Sequence, residues 1–563
     1  ALENHRGEKM KKVLLVVNNQ QSPYGDFTNM FTQIVQASGQ FELDVSEDRN
    51  SFTKLDSFDA AVLYIAGGTL TPEQEEGIAS FVRNGGGLLA VHGSNAGLSQ
   101  YETYINLIGS EFIQHDPLAP FEVSVVDDVD DILPRLNKSF QVTDECYEME
   151  IRTDASLRYF QYGNWRMERY PLGYTYNYGS GKVYYNALGH DQRTFKHPDF
   201  QDQLIKGLRY VTNLKDSPSA IRIGLVGYGP QFGMGKHHSD RIAQTHGFEL
   251  AAICDRDENR LQAAKAEQGD HVAVFTDVKD MAESGLIDMG LVIVPHAYHA
   301  PVAKVLLEAG LHTITEKPFV VHVSEADELI SIATEKQVML STYHNRHWDP
   351  DILTARDALE SGLIGDVFSI ECNMVGYGAP GQQWRAHKEI SGGMLYDMGA
   401  HQFEKILQLI PQYDKGGNRI NKRATLYGNF MKRKWQASSN EDYCRAYARF
   451  DSGLEAQLVQ SNLCTANKPL WTILGTQGSI TVENFDGKTS VTSVLEDGRQ
   501  MTLDYPRVSG GGWQTYYKNV ADHLLSGLPL IITPEWAKGT IQCIEGCETA
   551  SRENRLVEIE FDF

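Results

Sequence analysis

Apolar positions come in short, near-continuous runs along the first third of the chain. Lys12–Val17 (KVLLVV), Ala60–Ile65 (AAVLYI) and Leu88–Val91 read as strands buried on both faces. Pro72–Arg83 instead carries a helical period, with Thr71 placed to cap its start. Asn84-Gly85-Gly86-Gly87 turns the chain from that helix into the next strand. Gly181–Asn186 reads as a later strand and Phe200–Val211 as a closing helix. Strands alternating with helices predict a parallel sheet covered on both faces.

Lys215-Asp216-Ser217-Pro218-Ser219 is a polar connector. Beyond it the βα alternation resumes, with apolar runs at Ile221–Val226, Leu250–Cys254, Leu291–Val294, His312–Thr315 and Val338–Thr342. After about Tyr343 the pattern changes. Ala424–Gly428, Cys444–Phe450, Leu454–Ser461, Leu470–Leu474 and Ser479–Val482 read as consecutive strands of a mostly antiparallel sheet. Trp513–Ser526 and Pro534–Glu553 read as helices. The reading is an α/β protein of three domains, 11–214, 220–342 and 343–563. A chain of 563 residues is too long for a single core.

Composition narrows the partners. Hydrophobic content of 41% and charged content of 22% are those of an ordinary globular protein. A net charge of −23 argues against nucleic acid and against an anionic membrane. No apolar run approaches a membrane span. The seven cysteines include no C-x-x-C pair, and Cys543 and Cys547, one helical turn apart, read as packing. Their odd number favours reduced thiols and a cytoplasmic setting. The polar start ALENHRGEKM fits a tag remnant or a trimmed leader, and the latter would make the setting periplasmic.

Candidate chemistry begins where the Ile221–Val226 run ends. Gly227-Tyr228-Gly229, then Gly233 and Gly235, lead into a helical stretch, and a second strand closes on Asp255. That is the layout of a dinucleotide-binding βαβ unit: glycines let the backbone approach a pyrophosphate, and the helix N-terminus offers N–H groups to it. The loop has one residue more before Gly233 than G-x-G-x-x-G. The bland alternative is a glycine-rich turn with no ligand. Asp255 would accept hydrogen bonds from the ribose hydroxyls and repel a 2′-phosphate, so NAD is expected over NADP, with Arg256 partly offsetting that charge.

Three further motifs follow. Val294-Pro295-His296-Ala297-Tyr298-His299 and Thr315-Glu316-Lys317-Pro318 both lie at strand ends. Gly392-Gly393-Met394-Leu395-Tyr396-Asp397-Met398-Gly399-Ala400-His401 puts Asp397 and His401 four apart, on one face of a helix. In this order, with the later Leu474-Gly475-Thr476-Gln477-Gly478-Ser479 turn, they resemble the glucose–fructose oxidoreductase/inositol dehydrogenase (Gfo/Idh/MocA) family from about Ile221 to Phe563. The resemblance implies a Rossmann domain, a second α/β domain with a large sheet, bound NAD(H) or NADP(H), and sugar or polyol substrates. By motif position it makes Lys317, Asp397 and His401 catalytic. It places Gly227, Gly229, Gly233, Asp255, Arg256, Pro295, His299, Glu316 and Lys317 on the cofactor. His296, His237 and His238 read as ordinary loop residues. A homo-oligomer is expected.

In the first domain Leu88–Val91 leads into His92-Gly93-Ser94, where class I glutamine amidotransferase-like folds carry a nucleophilic cysteine. The domain's one cysteine, Cys146, lies elsewhere, which argues against amidotransferase chemistry. Gly85 to Gly93, His115, Thr143–Tyr147 and Ala187-Leu188-Gly189-His190-Asp191 resemble the trehalose-utilisation ThuA-like family. That resemblance implies a flavodoxin-like fold, with His92, His115, Glu145, His190 and Asp191 as polar-site candidates. Whether they bind a metal, form an acid/base set or satisfy one another in a polar core stays open.

The resemblances together imply an NAD-dependent oxidoreductase acting on a hydroxyl of a sugar, glycoside or polyol. The N-terminal domain would process the keto-sugar, because a ring ketone acidifies the neighbouring C–H and lets a β-positioned aglycone leave. The competing readings are a redox-neutral NAD-dependent glycosidase, and a dehydrogenase carrying a non-catalytic carbohydrate-binding module.

Overall fold

The computed structural model describes residues 10–18, 27–217, 219–230, 233–381, 383–413, 418–505, 507 and 512–563. The polar start through Lys9 and the Gln231-Phe232 step of the glycine loop lie outside them. The chain divides into two compact units: Ala1–Pro218 with Lys518–Pro529, and Ser219–Tyr517 with Leu530–Phe563.

The first unit is built on a nine-stranded sheet. Phe41–Ser46, Lys11–Val17, Ala60–Tyr64, Gly87–Val91 and Gly181–Asn186 lie side by side and parallel. The central three consist almost wholly of buried apolar residues, as the runs predict. Pro72–Arg83 is a helix as expected, and Thr71 and Gln74 close a reciprocal capping box at its start. The expectation of a parallel sheet fails beyond Gly181–Asn186. Glu168–Tyr178, Arg158–Trp165, Ala119–Val125 and Ser139–Asp144 continue the sheet antiparallel. The cause is local: Tyr178 pairs with Gly181 across a tight turn in which Gly179 takes φ +63°, and such a turn cannot make a parallel crossover.

The segment Lys518–Pro529, read from sequence as part of the third domain, clusters with this first unit. Buried charges explain why. Arg135 donates from Nε to Asp522 at 2.6 Å, Lys206 pairs with the other Asp522 oxygen at 3.1 Å, and Lys518 meets Asp202 at 2.6 Å. Arg209 donates to the Ser526 carbonyl at 2.7 Å. Charges so deeply buried persist only when paired.

The second unit contains a six-stranded parallel sheet in the order Ala273–Phe275, Phe248–Cys254, Ile221–Val226, Met289–Val292, His312–Thr315, Leu340–Thr342. The order reverses between Ile221–Val226 and Met289–Val292, so ligand-binding loops are expected at the carboxyl ends there. A second nine-stranded sheet runs from Gln500–Tyr505 to Val557–Glu560. It is antiparallel except where Val367–Val375 lies parallel to Glu455–Ser461. The helices Ala400–Leu409 and Pro534–Glu553 share its apolar core.

Candidate functional sites

In the second unit the glycine loop leaves Ile221–Val226 as predicted. Gly227 sits at φ +102°, and a Cβ there would lie 2.3 Å from the Ile293 carbonyl oxygen, so no side chain fits. Gly233, at φ +60°, opens the helix Met234–Ala243 with no side-chain cap, which leaves that N-terminus to an anion. Asp255 is buried and accepts from the Tyr228 N–H at 2.8 Å and the Asp257 N–H at 3.0 Å, which fastens the loop. Its neighbouring cation is Arg260, 3.5 Å away, while Arg256 is exposed. The sequence reading missed Arg260. The signal was its place three residues after Asp257, on the first turn of a helix. Glycines, a free helix start and a carboxylate after the second strand suit a dinucleotide.

Pro295 precedes a short turn, and His299 opens the next helix. His299 is wholly buried, with Nδ1 2.7 Å from the Pro318 carbonyl and Nε2 2.9 Å from the Val294 carbonyl. Burial holds the imidazole below the ordinary histidine range, so its single N–H donates to one of these two carbonyls and the ring packs against the other, between two strand-end loops. Glu316 is buried too: one oxygen accepts the Lys317 N–H at 2.9 Å and the other meets His238 Nε2 at 3.0 Å. His238, read as an ordinary loop residue, is therefore the buried partner of the Glu-Lys-Pro motif, and Tyr517 holds its other nitrogen at 2.5 Å.

The polar centre is Lys317. Its Nζ lies 2.5 Å from Asp397 Oδ1, and Arg385 Nε stands 3.4 Å from the other oxygen. Burial alone would raise the Asp397 carboxyl, but Lys317 and then Arg385 hold it well below the usual carboxylate range. Asp397 lies in a π-helical turn, Leu395–Gly399, and His401 in the α-helix that follows, so the wider turn replaces the regular helix read from their spacing. His401 is 4% exposed and its Nδ1 has no hydrogen-bond partner. Burial, reinforced by the Lys317 and Arg346 charges, drives its pKa well below the ordinary histidine value. Two more buried histidines, absent from the sequence candidates, feel the Lys317 charge. His296 gives Nδ1 to the Ser391 carbonyl at 2.8 Å, keeps Nε2 unpartnered, and is pushed down to about 3, chiefly by burial. His344 has neither ring nitrogen hydrogen-bonded and is pushed down to about 4 by burial. Neutral imidazoles with bare nitrogens around one ammonium–carboxylate pair can take hydrogen bonds from several hydroxyls and accept a proton.

In the first unit His92 follows Gly87–Val91 at φ +51°, a left-handed position uncommon outside glycine, though histidine enters it more readily than most residues. His190 follows the neighbouring parallel strand Gly181–Asn186, and Glu145 lies between Ser139–Asp144 and Tyr147–Ile151. Glu145 Oε1 is 3.1 Å from His190 Nδ1 and 3.4 Å from His115 Nε2, and its Oε2 is 3.6 Å from His92 Nε2. Four of the five candidates thus converge. Asp191 does not join them: it caps the short helix Gln192–Lys196 and grips Arg193. The carboxylate that supports the cluster is Asp144, which is buried and accepts from the Gly189 N–H at 2.8 Å and the His190 N–H at 3.3 Å. Burial raises its carboxyl. It also pushes the Cys146 thiol up to about 12, far from a nucleophilic thiolate.

Comparisons with known proteins agree with this fold. Residues 12–211 match a domain described as trehalose utilisation, ThuA. Residues 221–344 match the oxidoreductase family, NAD-binding Rossmann fold, and 356–559 its C-terminal alpha/beta domain. The scyllo-inositol 2-dehydrogenase (NADP(+)) IolW of Bacillus subtilis is 25% identical over 381 residues, which is 63% of this chain and 99% of that protein. The inositol 2-dehydrogenase of Corynebacterium glutamicum is 31% identical over 27% of this chain and 44% of its own length. Among solved structures, the putative oxidoreductase yvaA of Bacillus subtilis shares the fold at TM-score 0.54 and 23% identity, over 61% of this chain and 99% of that one. The chain belongs to the Gfo/Idh/MocA oxidoreductase family, with a ThuA domain at its N-terminal end.

Proposed function

We propose that the second unit oxidises a secondary hydroxyl of a sugar, glycoside or polyol with NAD, and that the first unit's cluster acts on the keto product. The observation that carries the first half is His401, neutral and unpartnered beside the Lys317–Asp397 pair. Alcohol oxidation needs a proton acceptor and a hydride acceptor at one carbon. NAD, when bound, supplies the second. His401 accepts the hydroxyl proton, and Lys317 donates a hydrogen bond to the same oxygen and steadies its growing negative charge. Asp397 orients Lys317. His296 and His344 receive hydrogen bonds from neighbouring hydroxyls, which favours a polyhydroxylated substrate over a simple alcohol.

Asp255 supports NAD, since a 2′-phosphate would meet its charge. The inositol relatives support the polyol class, although IolW is named as an NADP(+) enzyme. The test is a panel of glycosides and polyols, followed by A340 and by reducing-sugar release. Sustained NADH formation supports a dehydrogenase, whereas glycoside cleavage with no net NADH supports a redox-neutral glycosidase. For the first unit, His92→Ala should make a keto-sugar accumulate. An unchanged product profile in mass spectrometry would leave that unit a binding module.

A further inference from the structure

We infer that the first unit holds a divalent transition metal of the zinc class, ligated by His92 Nε2, His190 Nδ1 and Glu145, with His115 at the open side of the ion. The ligand atoms of His92, Glu145 and His190 all lie within 4.8 Å of one another, and all three residues are buried. Zinc binds nitrogen and carboxylate oxygen at about 2.0–2.2 Å, so the ligand atoms around one tetrahedral ion stand about 3.3–3.5 Å apart. Glu145 Oε1 stands 3.1 Å from His190 Nδ1, and its other oxygen, Oε2, 3.6 Å from His92 Nε2.

Tautomers supply the second argument. A carbonyl oxygen only accepts. His92 Nδ1 lies 2.9 Å from the Ala187 carbonyl, so it carries the proton and Nε2 carries the lone pair. His115 Nδ1 lies 2.8 Å from the Asp116 carbonyl, which fixes the same tautomer. The Tyr147 hydroxyl, 3.1 Å from His92 Nε2, can donate there, whereas His115 Nε2 and Glu145 Oε1, 3.4 Å apart, are two acceptors that face each other. Acceptors turned on one another repel unless a cation stands among them. A backbone carbonyl that fixes the outer nitrogen of a ligating histidine is the usual support of a metal site. Asp144 holds the His190 backbone in place by accepting its N–H.

The site is not sealed. The His115 side chain keeps 35% of its surface exposed, against 11% for His92, His190 and Glu145. A ligand oxygen therefore reaches the ion from the His115 side. Three protein ligands and an accessible position suit a Lewis acid that binds a carbonyl or adjacent hydroxyls, and His115 Nε2 stands ready to accept a proton there. The competing arrangement is an imidazolium at His115 paired with Glu145 and no ion.

The test uses the full chain, stripped with a chelator and titrated with zinc sulfate against a chromophoric chelator, with bound metal counted by mass spectrometry. Wild type should bind about one equivalent per chain. Glu145→Gln, which keeps the side-chain shape, and His190→Ala should each weaken zinc binding by at least about 100-fold, the upper end of a supporting-residue effect. Exposed His246→Ala should change nothing. Saturating zinc should raise the melting temperature of wild type and not of Glu145→Gln, because only a ligand that binds the native state stabilises it. Should His190→Ala fail to fold, Glu145→Gln decides. Wild type that binds no zinc in the micromolar range, or equal binding by wild type and Glu145→Gln, would overturn the metal site in favour of the ion pair.

Discussion

Both units gather histidines, His92, His190, His296 and His344 just beyond the carboxyl ends of parallel strands, yet the two clusters solve the burial of imidazole differently. Around Lys317 the histidines stand apart from one another's acceptors. His296, His344 and His401 keep bare nitrogens, and the charge among them is an ammonium ion already paired with Asp397. Around Glu145 the histidines converge on a single carboxylate, and among the described residues no lysine or arginine is paired with it. A resident cation that cannot leave suits proton acceptance from a neutral hydroxyl. A set of lone pairs and one carboxylate suits a cation that can. The same residue type therefore serves two chemistries, and the difference lies in what supplies the positive charge.

The largest expected effect breaks the first arrangement. His401→Ala should lower kcat on the true substrate by about 10²–10⁴-fold, and Lys317→Ala should do the same, while NAD stays bound. Cofactor binding, followed by fluorescence titration, separates this outcome from misfolding. Near-full turnover in either variant would remove that residue from the proton path.

A smaller effect concerns acid. His344 has a native pKa of about 4, below the roughly 6.5 of an unfolded histidine. Between those values the unfolded chain binds the extra proton. Stability from this residue is therefore complete above about pH 6.5 and falls as the pH drops towards 4, by at most about 3 kcal/mol. His344→Phe, which keeps a ring of similar size, should flatten the loss between about pH 7 and pH 4.5 in urea unfolding. Equal pH slopes for the two proteins would show that His344 is not held neutral.

The strands and glycines behind these sites were legible for a physical reason. Buried parallel strands must be apolar on both faces, so Ile221–Val226, His312–Thr315 and Gly181–Asn186 fall where the runs place them. A capped helix announces its own start, as Thr71 and Pro72 do. The four strands that extend the first sheet antiparallel were not legible, since residues such as Glu168 to Tyr178 alternate weakly and carry many hydroxyls and charges. The transfer of Lys518–Pro529 to the first unit was hidden too. It depends on the Arg135–Asp522 pair, whose partners lie far apart in sequence. At the sites, motif order gave Lys317, Asp397, His401 and Glu145 as candidates. It did not give His344, Arg385 or Asp144, whose roles come from burial and from neighbours supplied by other strands and helices.

The smallest effect sharpens what the fixed charges in the second unit do at the cofactor end. Asp255 and Arg260 lie 3.5 Å apart beside the glycine loop, with Arg260 the more exposed. On the proposed reading the carboxylate would accept ribose hydroxyls and repel a phosphate, while the guanidinium would do the reverse. Asp255→Ala should weaken NAD binding by about tenfold, the worth of one charge-assisted hydrogen bond, and narrow any preference over NADP. Arg260→Ala should leave NAD nearly unchanged and weaken NADP, since the half-exposed guanidinium, 3.5 Å from Asp255 and from Asp257, can also turn to a 2′-phosphate. Titration of both cofactors against both variants gives four affinities. If Arg260→Ala weakens NAD as much as NADP, the arginine serves by holding Asp255 in place, and cofactor choice rests on the carboxylate alone.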